Sequence, residues 1–207
     1  MGSRYREGGV RQEGGTAVKV TEALRYDHQV IERVLETLEK VTDRLEAGKT
    51  VSTEVLEDSL DFLNSFVDRL HIAKEENGLF PALRAAGGPE EHRLIDEMVT
   101  EHHESRTYLE ALSISMEGYR QDDRTATTRL VDSARGYAAL QTEHIRKEEQ
   151  TLFPMVDRLL SDKDQNELIG KFDQVESEQI GIGVHERYDQ MVESLSQKVR
   201  ALTHPGA

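Results

Sequence analysis

The chain has 207 residues, enough for one domain with an appendage, and its 40 acidic and 26 basic side chains give a formal net charge of −14. A surface with that charge repels the phosphates of nucleic acids and of anionic lipids, so neither a nucleic acid nor a membrane is an expected partner. The sequence contains no cysteine, which excludes disulfides, thiolate metal sites and thiol nucleophiles and fits a reducing compartment.

The N-terminal residues 1–17 are rich in glycine and arginine and contain no apolar run. This composition predicts a flexible tail rather than a secretory signal. No later stretch is apolar for long enough to span a bilayer. We therefore expect a cytoplasmic protein whose folded part begins at about residue 18.

Two helices are predicted in the first part of the chain, where apolar residues recur at helical spacing. The first runs over residues 19–47, and Gly48 is a suitable stop signal. The second begins near Ser52, a good N-cap residue, and is expected to end around residues 77–78.

A Leu-Phe-Pro tripeptide follows the second helix at residues 79–81 and occurs again at residues 152–154. Proline lacks the N–H that a helix interior needs. We expect each proline to end its helix and each phenylalanine to close one end of the helical core.

The third and fourth helices have clear start signals. Gly87-Gly88-Pro89 opens the third helix, which extends to about Tyr119, and Asp122-Asp123 opens the fourth. No segment alternates as a strand does, and the connections are short. The sequence predicts an all-α fold in which residues 18–160 form an antiparallel up-down four-helix bundle.

The chain after Ser161 is more polar. Two further helices are predicted at residues 162–180 and 184–203, separated by Gly181-Ile182-Gly183. We expect residues 161–207 to form a helical extension that packs on the outside of the bundle.

The strongest signal is an internal repeat. An eleven-residue segment that starts with His-x-x-x-Glu at residue 71 and ends in Leu-Phe-Pro recurs 73 residues later, and each preceding helix carries a histidine on its apolar face, 74 residues apart. The chain therefore contains two helix pairs with matching histidines and glutamates. These six residues are His28, His71, Glu75, His102, His144 and Glu148.

This arrangement predicts a metal site inside the bundle. Residues four apart lie about 40° apart around an α-helix, so the histidine and glutamate of each motif can reach one point. Burying an unpaired carboxylate costs several kcal/mol, and a cation removes that cost. Imidazole and carboxylate without thiolate suit iron, manganese or zinc, and two carboxylates able to bridge favour two ions.

The order His, His-x-x-x-Glu, His, His-x-x-x-Glu over roughly residues 20–160, with Leu-Phe-Pro after each paired motif, resembles the hemerythrin-like (HHE) cation-binding family. Glu101-His102 followed by Arg106 also resembles the third-helix motif of that family. The resemblance implies a four-helix bundle around a non-heme di-iron centre.

The resemblance also implies a ligand set. His28 and His71 would bind one iron, and His102 and His144 the other. Both glutamates would bridge the two ions, and an oxo, hydroxo or water bridge would complete the centre. The bridging residues are Glu75 and Glu148.

The sequence departs from the oxygen-carrying hemerythrins at two points. Those proteins have a second histidine one turn after the third-helix histidine, where this chain has Arg106. They also end in His-x-x-x-x-Asp, where this chain has His-x-x-x-Glu. The missing histidine argues against reversible oxygen carriage.

Several other side chains have alternative interpretations. His102 shares the apolar face of its helix, whereas its neighbour His103 does not, so His102 is the preferred ligand. Glu76 and Glu149 are rotated by about 100° from the ligand glutamates and should face solvent or a hydrogen-bonding partner rather than bind the metal directly. His185, outside the repeat, fits a packing or capping role better than that of a gate or an extra ligand.

Tyrosines could also approach the centre. We expect core or rim positions for three of them, any one of which could instead line the metal pocket or bind the metal. They are Tyr26, Tyr108 and Tyr137.

Three classes of function fit this sequence. The first is binding of, or reaction with, a small ligand such as dioxygen, nitric oxide or hydrogen peroxide, including catalase-like breakdown of peroxide. The second is an iron or oxygen sensor that acts through a protein partner, and the third is an interaction module with a structural metal. We favour the first, since the absence of a separate DNA-binding or catalytic module beside the bundle weakens the sensor interpretation. A protein partner or a homo-oligomer stays open.

Overall fold

The computed structural model of the chain describes residues 19–179 and 184–203, which form six helical runs without a β-strand. The predicted all-α class is thereby confirmed for these residues. No helix within these two ranges combines the length and the apolar character needed to cross a membrane. The expected N-terminal tail, the break at residues 181–183 and the side chain of His185 lie outside the described residues.

The helices follow the chain in order, and two of them change their hydrogen-bonding pattern along their length. Helices α1 and α3 span Val20–Glu46 and Pro89–Arg120, and α5 and α6 span Asp162–Gln179 and Val184–Thr203. Helix α2 is continuous over residues 53–86 and consists mainly of Thr53–Phe62, the π-helical segments Leu63–Ile72 and Glu75–Leu79, and Phe80–Ala86. Helix α4 is continuous over residues 124–159 and consists of Arg124–Lys147, the π-helical segment Glu148–Leu152 and Phe153–Leu159.

Two of the predicted helix starts and the first predicted stop are confirmed by their caps. The Ser52 hydroxyl accepts a hydrogen bond from the Val55 N–H at 3.4 Å, and the Asp123 carboxylate accepts one from the Thr125 N–H at 2.8 Å. Gly48 has a φ of +70°, a conformation that favours glycine, just after α1 ends.

The prediction that each Leu-Phe-Pro ends its helix is wrong. Pro81 and Pro154 lie inside α2 and α4, immediately after the π-helical turns Glu75–Leu79 and Glu148–Leu152. Each proline occupies one of the first two positions of the α-helical segment that follows, where a missing N–H is tolerated. The wider turn before it also relieves the clash that a proline ring makes inside a regular α-helix.

Two apolar clusters fill the interior, and the candidate metal ligands lie between them. One cluster contains Leu24 of α1 with the C-terminal end of α2, the start of α3, the end of α4 and residues of α5. The other contains Ile31 of α1 with the first part of α2, the later part of α3, the start of α4 and residues of α6. Because His28 lies between these two residues on α1, apolar layers enclose its surroundings from both ends.

Both C-terminal helices contact α2. The Tyr188 ring of α6 packs edge-on against Phe66 and Phe62, with ring centroids 4.9 and 5.7 Å apart. Phe172 of α5 packs against Gly78, where an added Cβ would lie 3.1 Å from the phenylalanine ring. Glycine at position 78 thus allows α5 to approach α2 closely, one turn beyond Glu75.

Candidate metal centre

The six residues predicted from the repeat lie together in the interior. The lone histidines come from α1 and α3, and each His-x-x-x-Glu motif comes from α2 or α4. All six side chains are buried. They are His28, His71, Glu75, His102, His144 and Glu148.

Each glutamate lies between two imidazoles from different helices and turns one oxygen toward each. The Nε2 atoms of all four histidines therefore face the carboxylates. The distances are 3.0 Å for His28–Glu148, 3.4 Å for His144–Glu148, 3.2 Å for His102–Glu75 and 3.6 Å for His71–Glu75.

The donor atoms form two groups whose members lie within 4.8 Å of one another and which share Glu75. The first group is His28, His71, Glu75 and Glu148, and the second is Glu75, His102 and His144. Within the described residues, no oxygen of either glutamate accepts a hydrogen bond. Buried carboxylates in that condition are costly, and a cation among these imidazole and carboxylate donors would satisfy them.

The outward nitrogen of every histidine contacts a second carboxylate. Such a partner fixes the tautomer of a metal-binding imidazole and raises its basicity. The Nδ1–oxygen distances are 3.2 Å for His28–Glu149, 3.4 Å for His71–Asp27, 2.9 Å for His102–Glu76 and 2.8 Å for His144–Glu101.

Sequence reasoning found only half of these outer partners. For Glu76 and Glu149 it left solvent or a hydrogen-bonding partner open, and both contact a histidine. It missed the roles of Asp27 and Glu101 as histidine partners. A signal was present, because an acidic residue directly precedes the lone histidine in both halves of the repeat.

The sequence model of the hemerythrin HHE cation-binding domain matches residues 19–156, which include all six buried donors. The chain belongs to the hemerythrin HHE cation-binding family. The curated relatives include the uncharacterized proteins Mb2018 of Mycobacterium bovis and Rv1995 of Mycobacterium tuberculosis, each 22% identical over 164 residues. The match covers 79% of this chain and 64% of each relative, so the chain spans less than two thirds of their length. No solved structure matches the chain.

Arg106 lies one turn after His102 on α3. Its guanidinium donates to both oxygens of Glu76 at 3.2 and 3.3 Å and to Asp68 at 2.6 Å. The hydrogen bonds from His102 and Arg106 lower the pKa of Glu76 to about 2. Arg106 therefore holds the carboxylate that orients His102.

The phenylalanines of the Leu-Phe-Pro tripeptides pack on the lone histidines, a contact that sequence reasoning missed. Phe153 stacks on His28 with centroids 5.4 Å apart, and Phe80 stacks on His102 at 5.6 Å. The Arg25 guanidinium lies 5.0 Å from the Phe153 ring centroid on α4. The tripeptides thus help to fix the orientation of both rings.

The pKa values of the two glutamates are driven apart. Burial and the negative charge of Glu148 raise the pKa of Glu75 well above its usual value. Burial would raise the pKa of Glu148 as well, but the charges of His144 and His28 lower it well below its usual value. Two carboxylates at this separation do not both ionise unless nearby positive charge compensates them.

The histidines are affected in opposite directions. Burial lowers the pKa of His71 to about 4. Burial would also lower the pKa of His144, but the charge of Glu148 and contact with Glu101 raise it to about 9. At neutral pH and without a cation, one histidine is thus ready to bind a metal and the other must first release a proton.

Lys74 is a buried cation beside the centre. Its side chain is 1% exposed and donates to Asp27 at 2.8 Å and to Glu176 of α5 at 2.7 Å. Burial would lower the pKa of Lys74, but the charges of these two carboxylates raise it above its usual value. This lysine links the C-terminal helix α5 to the outer partner of His71.

The remaining predicted candidates take other positions. His103 is exposed, and the Tyr26 hydroxyl donates to Asp189 of α6 at 2.6 Å. Tyr137 is buried, and burial raises its pKa. Closer to the centre, the Gln141 amide donates to the Ser105 hydroxyl at 2.9 Å, one turn from His144 and His102 along their helices.

Proposed function

We propose that this protein is a non-heme di-iron protein that binds or reacts with a small ligand such as dioxygen, nitric oxide or hydrogen peroxide. In this proposal His28 and His71 hold one iron, His102 and His144 hold the other, and both glutamates bridge them. The observation that carries the proposal is the convergence of four imidazole Nε2 atoms on the two buried carboxylates.

We also propose that α1 to α4 form an up-down four-helix bundle. Contacts between α3 and α4 support it, since Ser105 pairs with Gln141 while Gly118 near the end of α3 faces Ala126 near the start of α4. These contacts favour antiparallel helices. The pairs Lys19–Asp157 and His28–Glu149 favour the same antiparallel orientation for α1 and α4.

The residues of the chain hold the centre and control its surroundings. The four outer carboxylates favour a proton on each Nδ1, so each Nε2 points inward and can bind a metal once it carries no proton. The two apolar clusters enclose the donors from both ends, and the Ser105–Gln141 pair offers hydrogen-bonding groups near the second histidine pair. Two iron ions, when bound, supply a shared redox change and a clamp for a small ligand.

A sensor is the alternative function. The contact between α5 and Lys74, beside the metal ligands, favours it because it connects the centre to a helix outside the four that carry the ligands. Metal binding and folding are coupled in such a site, so occupancy could be read by a protein partner. We place this function second because the buried histidines and glutamates can bind metal ions without any partner protein.

The test is anaerobic reconstitution of the full chain with ferrous iron, followed by separate addition of dioxygen, nitric oxide and peroxide. We expect two iron ions per chain and an absorption change with at least one of the three ligands. Gas evolution from peroxide would indicate catalase-like activity. A fully loaded protein that responds to none of the three would leave the sensor as the better explanation.

Variants test the ligand assignment. His71→Ala and Glu148→Ala should lose iron, whereas His103→Ala is the matched control on an exposed histidine and should retain both ions. Iron contents are measured on purified protein. Normal iron content in either of the first two variants would contradict the proposed ligands.

A further inference from the structure

The two halves of the repeat place a lysine at the same position, but only one lysine is covered. Lys74 and Lys147 each precede a candidate ligand glutamate and each pairs with the carboxylate that orients a histidine. Lys74 is 1% exposed, whereas Lys147 is 24% exposed and pairs with Glu97 at 2.6 Å on the surface. The repeat therefore preserves the ion pair and varies its environment.

Helix α5 causes this difference. Its Glu176 carboxylate, 21% exposed, accepts from Lys74 at 2.7 Å. Its Phe172 ring lies 5.9 Å from the Lys74 ammonium and also packs against Gly78. One helix face thus covers the segment of α2 that carries Glu75.

We propose that Glu176 is a positioning residue that holds Lys74 between itself and Asp27 and thereby strengthens metal binding by His71. The inference rests on the proposed function, because it assumes that a metal ion binds at His28 and His71. It adds a residue of the C-terminal helix to the set that determines the properties of the centre, and it makes the two ions non-equivalent.

The physical reason is competition for one oxygen. Asp27 Oδ2 lies 2.8 Å from the Lys74 ammonium and 3.4 Å from His71 Nδ1. With Glu176 present, the lysine shares its positive charge between two carboxylates, so Asp27 remains a strong acceptor for the imidazole N–H. Without the Glu176 charge, the lysine would draw on Asp27 alone, and the imidazole would become a weaker metal ligand.

The experiment compares Glu176→Gln with Glu97→Gln in the full chain loaded with iron. Glu97 is the matched control because it pairs with Lys147, which corresponds to Lys74 in the second half of the repeat. Release of each iron to a chelator is followed by absorbance, and Mössbauer spectra report the environment of each ion. We expect one ion of Glu176→Gln to leave about three- to tenfold faster, less than the 10- to 100-fold loss typical of a direct partner.

A purely structural role would give a different result. It would accelerate release of both ions to the same extent, whereas a positioning role changes one ion and one Mössbauer component. The inference is overturned if both ions leave equally fast, if neither changes, or if Glu97→Gln behaves in the same way. If Glu176→Gln does not fold, Glu176→Asp must show the same selective loss at smaller amplitude, and release like that of the wild type would overturn the inference.

The wild-type protein separates this inference from the function on which it rests. Wild-type protein that holds fewer than two iron ions would contradict both. Two bound ions together with unchanged release from Glu176→Gln would contradict the inference alone.

Discussion

The two halves of the repeat contain the same donors but lie in different surroundings. In the first half, the Asp27–Lys74 pair is buried under α5, and in the second half the Glu101–Lys147 pair reaches the surface. The comparison teaches that a repeat can preserve the chemistry of a site while the helices packed outside it determine how strongly each half depends on its ion pair.

The largest expected effect is a difference between matched carboxylate variants. Asp27→Asn should destabilise the metal-free protein by about 4 kcal/mol, because it leaves a buried ammonium with one partner fewer. Glu101→Gln should cost less, about 2 kcal/mol, because it weakens the contact with His144 while Lys147 keeps Glu97 and water. Urea unfolding at pH 7 measures both, and equal costs would show that the cover of α5 has no energetic consequence.

The second expected effect is on the pH dependence of stability, and it has opposite signs in the two halves of the repeat. His71 has a folded pKa of about 4, below its usual 6.5, so its contribution is present above pH 6.5 and is lost as the pH falls toward 4. His144 has a folded pKa of about 9, so its contribution is present below pH 6.5 and is lost as the pH rises through 9. Each contribution to the unfolding free energy of the metal-free protein is about 3 kcal/mol.

The measurement is the pH dependence of urea unfolding for two variants. His71→Ala should flatten the acid side of the stability curve, and His144→Ala should flatten the alkaline side. Wild-type slopes retained on these two sides would show that the histidines do not titrate as their surroundings indicate.

The smallest effect concerns the stacked phenylalanines. Phe153→Leu and Phe80→Leu should each cost about 1 kcal/mol through the lost contact with a histidine ring. Phe153→Leu should cost several tenths of a kcal/mol more, because it also removes the contact with Arg25. Thermal unfolding of both variants compares them, and a larger cost for Phe80→Leu would reverse the expected order.

The sequence was sufficient to predict an all-helical chain and to single out the six buried candidate residues, because both depend on local spacing. The 73- and 74-residue offsets brought His28, His71, His102 and His144 to notice, and the caps at Ser52 and Asp123 located two helix starts. These signals repeat or act within one turn. They need no knowledge of the packing.

The features that the sequence did not reveal depend on packing between distant segments. The helices continue past Pro81 and Pro154 because a π-helical turn precedes each proline, and no residue type identifies such a turn. Lys74 and Lys147 are identical residues at matching positions, so only the contact with Glu176, about a hundred residues later, distinguishes them.

The most direct test is anomalous diffraction at the iron edge from crystals of the iron-loaded full chain. The account predicts two iron peaks, one beside His28 and His71 and the other beside His102 and His144, with both glutamates between them. A single peak, or iron bound away from these histidines, would contradict it.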